Sequence, residues 1–177
     1  KQMCSIGDAS NSGGLVATPH VGRSTSNIGN LVIYSLSLAV LPQEETAVQP
    51  QTGGVTTATT TAAPVSTAAP SGHTVGGRII AYDKTTGDQL WALSQSNDYW
   101  ASPVVIYDAS GKGYLIQCDR GGIITMYDAL TGTKLTTLDA GSRIDSTPAV
   151  FGDYLVVGTR GKGGSGKAAK IVGIKIS

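Results

Sequence analysis

An all-β chain built from a repeated four-strand unit is what this sequence predicts, and three observations predict it. Apolar residues fall in short runs rich in Val, Ile, Thr and Tyr. Glycine is abundant, at 24 of 177 residues, while charged residues make up only 14%, as suits many tight turns. One phrase also occurs twice: AYDKTTGDQLW (81–91) returns 45 residues later as MYDALTGTKLT (126–136).

The repeat extends beyond that phrase. WASPVV (100–105) matches DSTPAV (145–150), again 45 residues on, and VATPHV (16–21) is a third copy. LVIYSLS from Leu31, YLIQCDRGG from Tyr114 and YLVVGTRGK from Tyr154 form a second matched set. RIIAYD from Arg78, IITMYD from Ile123 and a faded KIVGIK from Lys170 form a third. Four short strands recurring every 40–50 residues is the pattern of a propeller blade. The expected blades cover 14–95, 96–140 and 141–177, the last without its outer strand. Residues 1–13 would supply an outer strand of a preceding blade and its connection. The fold class is therefore all-β, a partial β-propeller of about three four-stranded antiparallel blades.

Each part of the phrase has a turn-forming job. Asp83 and Asp128 end a strand, and their carboxylates can accept from backbone N–H groups two or three residues on. Gly87 and Gly132 supply the positive φ that closes a short hairpin loop. Leu90 and Leu135 open the outer strand, and Trp91 can wedge between blades. The two aspartates occupy equivalent turns of different blades, so they do not face one another as an acid–base pair.

With these residues in view, the 81–91 copy resembles the A-x-D-x-x-T-G-x-x-x-W repeat of the quinoprotein-like (pyrroloquinoline-quinone-type) β-propellers. Met126 and Thr136 replace the Ala and the Trp in the second copy. The resemblance covers about 14–40 and 76–177. It implies four-stranded blades around an axis and says little of activity, because one superfold hosts many functions. Members that bind the quinone place Trp, acidic calcium ligands and often adjacent cysteines at the ring centre. This chain shows no such cluster, so no cofactor is expected of it, although missing blades could hold such residues.

Three blades do not close a ring. An open arc is expected to leave an apolar sheet face bare at each end, at about 1.5–3 kcal/mol per large side chain left wet. The expected partner is either the remaining blades of the parent protein or a second copy of this chain. Residues 39–76 interrupt the first blade. Within them TGGVTTATTTAAPVSTAAP (52–70) is low in complexity, and it reads as a plain loop or as a modified or partner-binding segment. Tracts of this kind occur in secreted proteins, which points to an extracellular or periplasmic location.

Composition excludes several classes. A net charge of +1 gives no reason to expect nucleic acid. No apolar run reaches the length of a membrane span. GKGGSGK (161–167) fits a phosphate-loop pattern, but Ala168 stands where Ser or Thr is needed and a strand follows instead of a helix. His20 and His73 lack ligand spacing, and Glu44 and Glu45 read as solvated, so no metal is expected. Cys4 and Cys118 are either two buried thiols or a disulfide.

The remaining candidates lie on one face. In a propeller, the loop leading into each blade and the loop between its second and third strands open on the same side. Those loops carry Asp98, Tyr99, Trp100, Asp119, Arg120, Arg143, Asp145 and Arg160. Aromatic groups mixed with Arg and Asp suit a polar or extended ligand. Alternatively, Arg143 with Asp145 and Arg120 with Asp119 satisfy only turn backbone and each other. The leading expectation is a non-enzymatic binding or assembly scaffold. The alternatives are the C-terminal part of an oxidoreductase whose catalytic residues lie in missing blades, and a structural subunit assembling by strand addition.

Overall fold

The structure, a computed structural model, describes residues 17–38, 76–161 and 168–176. Among the described residues there is no helix, and eleven strands form three antiparallel sheets. The first holds β1 (His20–Val21), β2 (Leu31–Leu38), β3 (Gly76–Asp83) and β4 (Gln89–Gln95) in sequence order. The second holds β5 (Val104–Tyr107), β6 (Gly113–Cys118), β7 (Ile123–Asp128) and β8 (Lys134–Asp139), again in order. The third holds β9 (Ala149–Phe151), β10 (Tyr154–Thr159) and β11 (Lys170–Lys175). This is the all-β partial propeller that the repeat predicts.

Register carries the repeat into three dimensions. Leu31 opposes Asp83, Tyr114 opposes Asp128, and Tyr154 opposes Lys175, so the three strand pairs are equivalent. The same irregularity recurs as well. Pairing slips between Ala81 and Tyr82 in the first sheet and between Met126 and Tyr127 in the second. Leu90 and Leu135 are the extra residues of these bulges, which strengthen the local twist.

The sheets stack in chain order, and strand periodicity decides what each face meets. Leu115 and Tyr127 face the first sheet, packing with Ile33, Ile79, Ala81 and Trp91. Their neighbours Ile116 and Ile124 face the third sheet and pack with Leu155 and Val157. Strand β6 is consequently buried on both faces, whereas β10 alternates strictly between exposed and buried.

The two ends of the stack differ. The third sheet's outward face is open: Phe151 is 91% exposed, Ile171 83%, Tyr154 55% and Val156 42%. At the first sheet, Leu36, Ile80, Tyr82 and Ala92 form their own cluster on the face turned from the second sheet, and all four are buried. The expectation of a bare apolar face at both ends is therefore corrected: only one end is bare. Residues 1–13, nearly all of the 39–76 insertion, Cys4, Glu44, Glu45, His73 and most of the 161–167 motif lie outside the described residues.

Candidate binding face

Three connections, 96–103, 119–122 and 140–148, meet on one side of the stack, and Arg160 after β10 joins them. The same backbone hydrogen bond stitches them twice. The Arg120 amide donates to the Asp98 carbonyl (3.0 Å), and the Arg160 amide donates to the Arg143 carbonyl (2.6 Å). Asp119 builds the β6–β7 turn by accepting from the Ile123 amide at 2.9 Å and from Asn97 Nδ2 at 3.1 Å. Gly122 closes that turn at a φ of +98°, and a Cβ there would lie 2.6 Å from the Ser142 carbonyl oxygen. The Ala140 amide donates to the Gly122 carbonyl at 2.9 Å, which ties the 119–122 turn to the 140–148 connection.

These ties bring six of the predicted residues into one cluster. Arg120 Nη1 lies 2.6 Å from Asp98 Oδ2, and its Nε lies 3.3 Å from Asp145 Oδ1. Arg143 Nε reaches the same Asp145 oxygen at 2.6 Å, and Arg160 Nη1 lies 3.4 Å from Asp145 Oδ2. The Arg120 guanidinium stacks on the Trp100 ring, 3.9 Å from its centroid, and that of Arg143 stands 5.3 Å away. Trp100 remains 43% exposed. Burial pushes the Asp145 carboxyl up, but the Arg143 hydrogen bond and charge, with Arg160 and Arg120, outweigh it and hold the group below its ordinary value.

Two predicted residues have other roles. Tyr99 is 2% exposed and belongs to the core between the first and second sheets, where burial raises its phenol. It is not a surface residue, because the 96–103 connection turns it into the core that it crosses. Arg120 pairs with Asp98 and Asp145, not with Asp119, whose carboxylate serves the turn.

Some supporting residues escaped sequence reasoning. Gln117 is 1% exposed and accepts from the Ser35 hydroxyl, while its Nε2 donates to the carbonyls of Ala101 (2.9 Å) and Cys118 (3.0 Å). The Ser37 hydroxyl donates to the Tyr99 carbonyl at 2.7 Å. Together they fix the 99–101 backbone from which Trp100 projects. The signal was present as polar residues inside the apolar runs LVIYSLS and YLIQC, a pattern that calls for buried partners.

The turn residues occupy the opposite side. Asp83 Oδ1 accepts from the amides of Thr85 (2.7 Å) and Thr86 (2.9 Å), and Oδ2 accepts from Asn30 Nδ2 (2.7 Å). Asp128 repeats this with the amides of Leu130 (3.0 Å) and Thr131 (3.1 Å), and adds Lys112 Nζ at 3.0 Å. Gly87 and Gly132 stand at φ +82° and +73°. Trp91 is 3% exposed and lies against Gly132 of the next sheet. The backbone amides hold Asp83 below its ordinary pKa. For Asp128, burial works upward, but Lys112 and the turn amides bring it below.

Cys118 is a buried free thiol whose pKa burial pushes up to about 12. His20 is held below its ordinary value by burial, and its Nε2 lies 3.2 Å from the Tyr107 hydroxyl. No three metal-ligating side chains cluster among the described residues. Those residues also do not fit a bound quinone with calcium. The carboxylates beside Trp100 are each engaged by Arg, and Cys118 is buried without a cysteine neighbour among them. No helix among the described residues is long and apolar enough to cross a membrane.

The sheets, their common register and their face-to-face stacking make this a partial β-propeller. That agrees with the sequence resemblance to quinoprotein-like propellers. No protein-family model matches the chain, and no curated protein matches it. Solved structures are similar to it at low identity. A europium-containing methanol dehydrogenase gives a TM-score of 0.47 at 20% identity, over 81% of this chain and 24% of that one. BamB from Moraxella catarrhalis gives 0.44 at 12% identity, over 90% of this chain and 44% of that one. This chain thus spans less than half of either neighbour's length.

Proposed function

We propose that this chain is part of a non-enzymatic, extracytoplasmic binding or assembly scaffold that presents Trp100, flanked by Arg120 and Arg143, to a polar, extended ligand. The observation that carries this reading is the half-exposed Trp100 ring held by two guanidiniums that are themselves fixed on Asp145. A preformed aromatic surface costs little ordering on binding, and Arg–Asp pairs at its rim offer donors and acceptors in fixed positions. Among the described carboxyls, each one that shifts does so downward, toward the anion. That suits structural pairing and not a proton donor near neutral pH. The rest of the parent polypeptide completes the arc, and the Thr/Ala/Pro composition of 52–70 supports a location outside the cytoplasm.

The test is an array of neutral oligosaccharides, anionic oligosaccharides and extended peptides, probed with the wild type and with Trp100→Ala/Arg143→Gln. Retention on one ligand class by the wild type, with a loss of about tenfold or more in a variant of unchanged circular dichroism, is expected. Equal retention by both proteins would refute this face.

A further inference from the structure

Charge within the Trp100 cluster does not balance. Asp98 is matched by Arg120 at 2.6 Å, which leaves Asp145 to be shared by three guanidiniums. Arg143 holds Asp145 Oδ1 at 2.6 Å, whereas Arg160 reaches Oδ2 only at 3.4 Å and its side chain is 67% exposed. Asp119 spends its carboxylate on the Ile123 amide and Asn97. Lys170, which opposes Thr159 at the same end of β10, is exposed and adds a further cation. Arg160 is nevertheless fixed through its backbone. Its amide donates to the Arg143 carbonyl at 2.6 Å, and its carbonyl accepts from the Ser142 hydroxyl at 2.7 Å. The cluster thus carries a guanidinium on a held stem, with its donors largely open to solvent.

We propose that the ligand of this face is an acidic polysaccharide, a chain of uronate residues, with one pyranose ring on Trp100 and a carboxylate on Arg160. The inference rests on the reading of Trp100 as a ligand platform and adds the charge and chemical class of what binds there. Two features select that class. The exposed part of the indole offers a flat apolar surface, which suits the C–H face of a sugar ring. The Arg160 guanidinium offers a planar fork of donors, which matches a carboxylate through two parallel hydrogen bonds.

A uronate joins both groups on one rigid ring, so little further ordering is needed to place them together. An acidic peptide carries its carboxylates on flexible side chains, without a flat apolar face attached to them. A neutral sugar would leave the Arg160 donors to water and the excess positive charge unmatched.

The experiment titrates the full chain with tetramers of galacturonate, glucuronate and mannuronate, with the methyl ester of each, and with tetraglutamate. Binding is followed by the Trp100 indole N–H signal in NMR, assigned by its loss in Trp100→Ala. A uronate tetramer is expected to shift that signal and to bind about tenfold more tightly than its own ester. Arg160→Gln, a change at an exposed side chain, is expected to bring acid and ester to equal affinity without altering the binding of the ester. Trp100→Ala is expected to weaken both. Equal affinity of the wild type for acid and ester, with both lost in Trp100→Ala, would overturn the charge rule and leave the platform standing. Tighter binding of tetraglutamate than of every uronate would overturn the choice of ligand, as would no shift with any uronate at about 1 mM. A preference for acid that survives Trp100→Ala undiminished would refute the platform itself, and this inference with it.

Discussion

Replacing Gly132 with Ala tests the seam between the first two sheets most directly. Gly132 sits at φ +73°, and a Cβ there would stand 3.0 Å from Trp91 Cδ2 and Cε3. Two costs follow. Holding an L-residue in the left-handed region costs about 1–2 kcal/mol. Forcing the indole ring back by a few tenths of an ångström inside a packed core adds about 1–3 kcal/mol. Gly141 separates them, because it stands at φ +78° with nothing within 4 Å of its would-be Cβ, so Gly141→Ala carries the backbone cost alone. Urea unfolding followed by far-ultraviolet circular dichroism reads both variants. Gly132→Ala should lose at least about 1 kcal/mol more than Gly141→Ala, a midpoint lower by about 0.5 M at a typical urea dependence. In a Trp91→Leu background that excess should vanish. Equal losses at the two glycines, or an excess that persists without the indole, would show that Trp91 does not lock onto the neighbouring turn.

Three further outcomes follow from the same structure. His20 is held below its ordinary value by burial, so its neutral form contributes stability that is complete above about pH 6.5 and is lost as pH falls from there through its folded pKa. Asp83, Asp108, Asp128 and Asp145 are also depressed, and their contribution is lost as pH falls below about 4. Melting temperature against pH should therefore fall in two steps, and His20→Gln should remove the upper one. Gly122→Ala would set a methyl against the Ser142 carbonyl and should separate the 119–122 turn from Arg143. Ligand binding and Trp100 fluorescence should both change, and unaltered fluorescence would contradict the tie. In a Cys4→Ser background, Cys118 should react with a disulfide reagent only upon unfolding, because it is buried and its thiol is raised to about 12; rapid labelling of the folded chain would refute its burial.

Sequence made the strands legible because their side chains alternate and their turns use residues with few substitutes. Asp83 and Asp128 accept from the amides two and three residues on, as a strand-ending Asp before Thr-Gly predicts. The loops that gather Asp98, Trp100, Arg120, Arg143 and Asp145 were also legible, since strand order fixes which connections share a side. Pairing within the cluster was not. Local order suggested Asp119 for Arg120, but the side chain crosses to Asp98 and Asp145 on other loops, a choice made by the packing of two sheets. Tyr99 was misplaced for a related reason. A connection between sheets has no strict alternation, so inward and outward positions are set by the core it crosses. Gln117 and Ser35 are polar residues within apolar runs, and only the stacked sheets show that they satisfy each other.

The repeat weakens along the chain, and its erosion explains where the molecule is open. At the first seam Trp91 fills the space over Gly132, and the 22–30 loop inserts Ile28, whose Cδ1 would touch a Cβ on Gly113 at 3.0 Å. Asn27 Oδ1 clasps the Gly113 amide at 2.9 Å, so that loop is held as well as packed. At the second seam Thr136 stands where Trp91 stood, and the β5–β6 turn that answers to the 22–30 loop is only residues 108–112. With neither filler, a cleft of about 780 Å³ opens between the second and third sheets, bordered by Ile106, Met126, Val150 and Ile176. Strand β8 is exposed along its whole length. A sheet that packs on one face, leaves a cleft beside it and ends on an unpaired strand is held by fewer contacts than its neighbours, and low local stability is where partner-dependent ordering has the most to gain. Arg143, Asp145 and Arg160 come from the connections of the third sheet, whereas Trp100 and Arg120 come from those of the second, so the Trp100 cluster is assembled by the packing of the two.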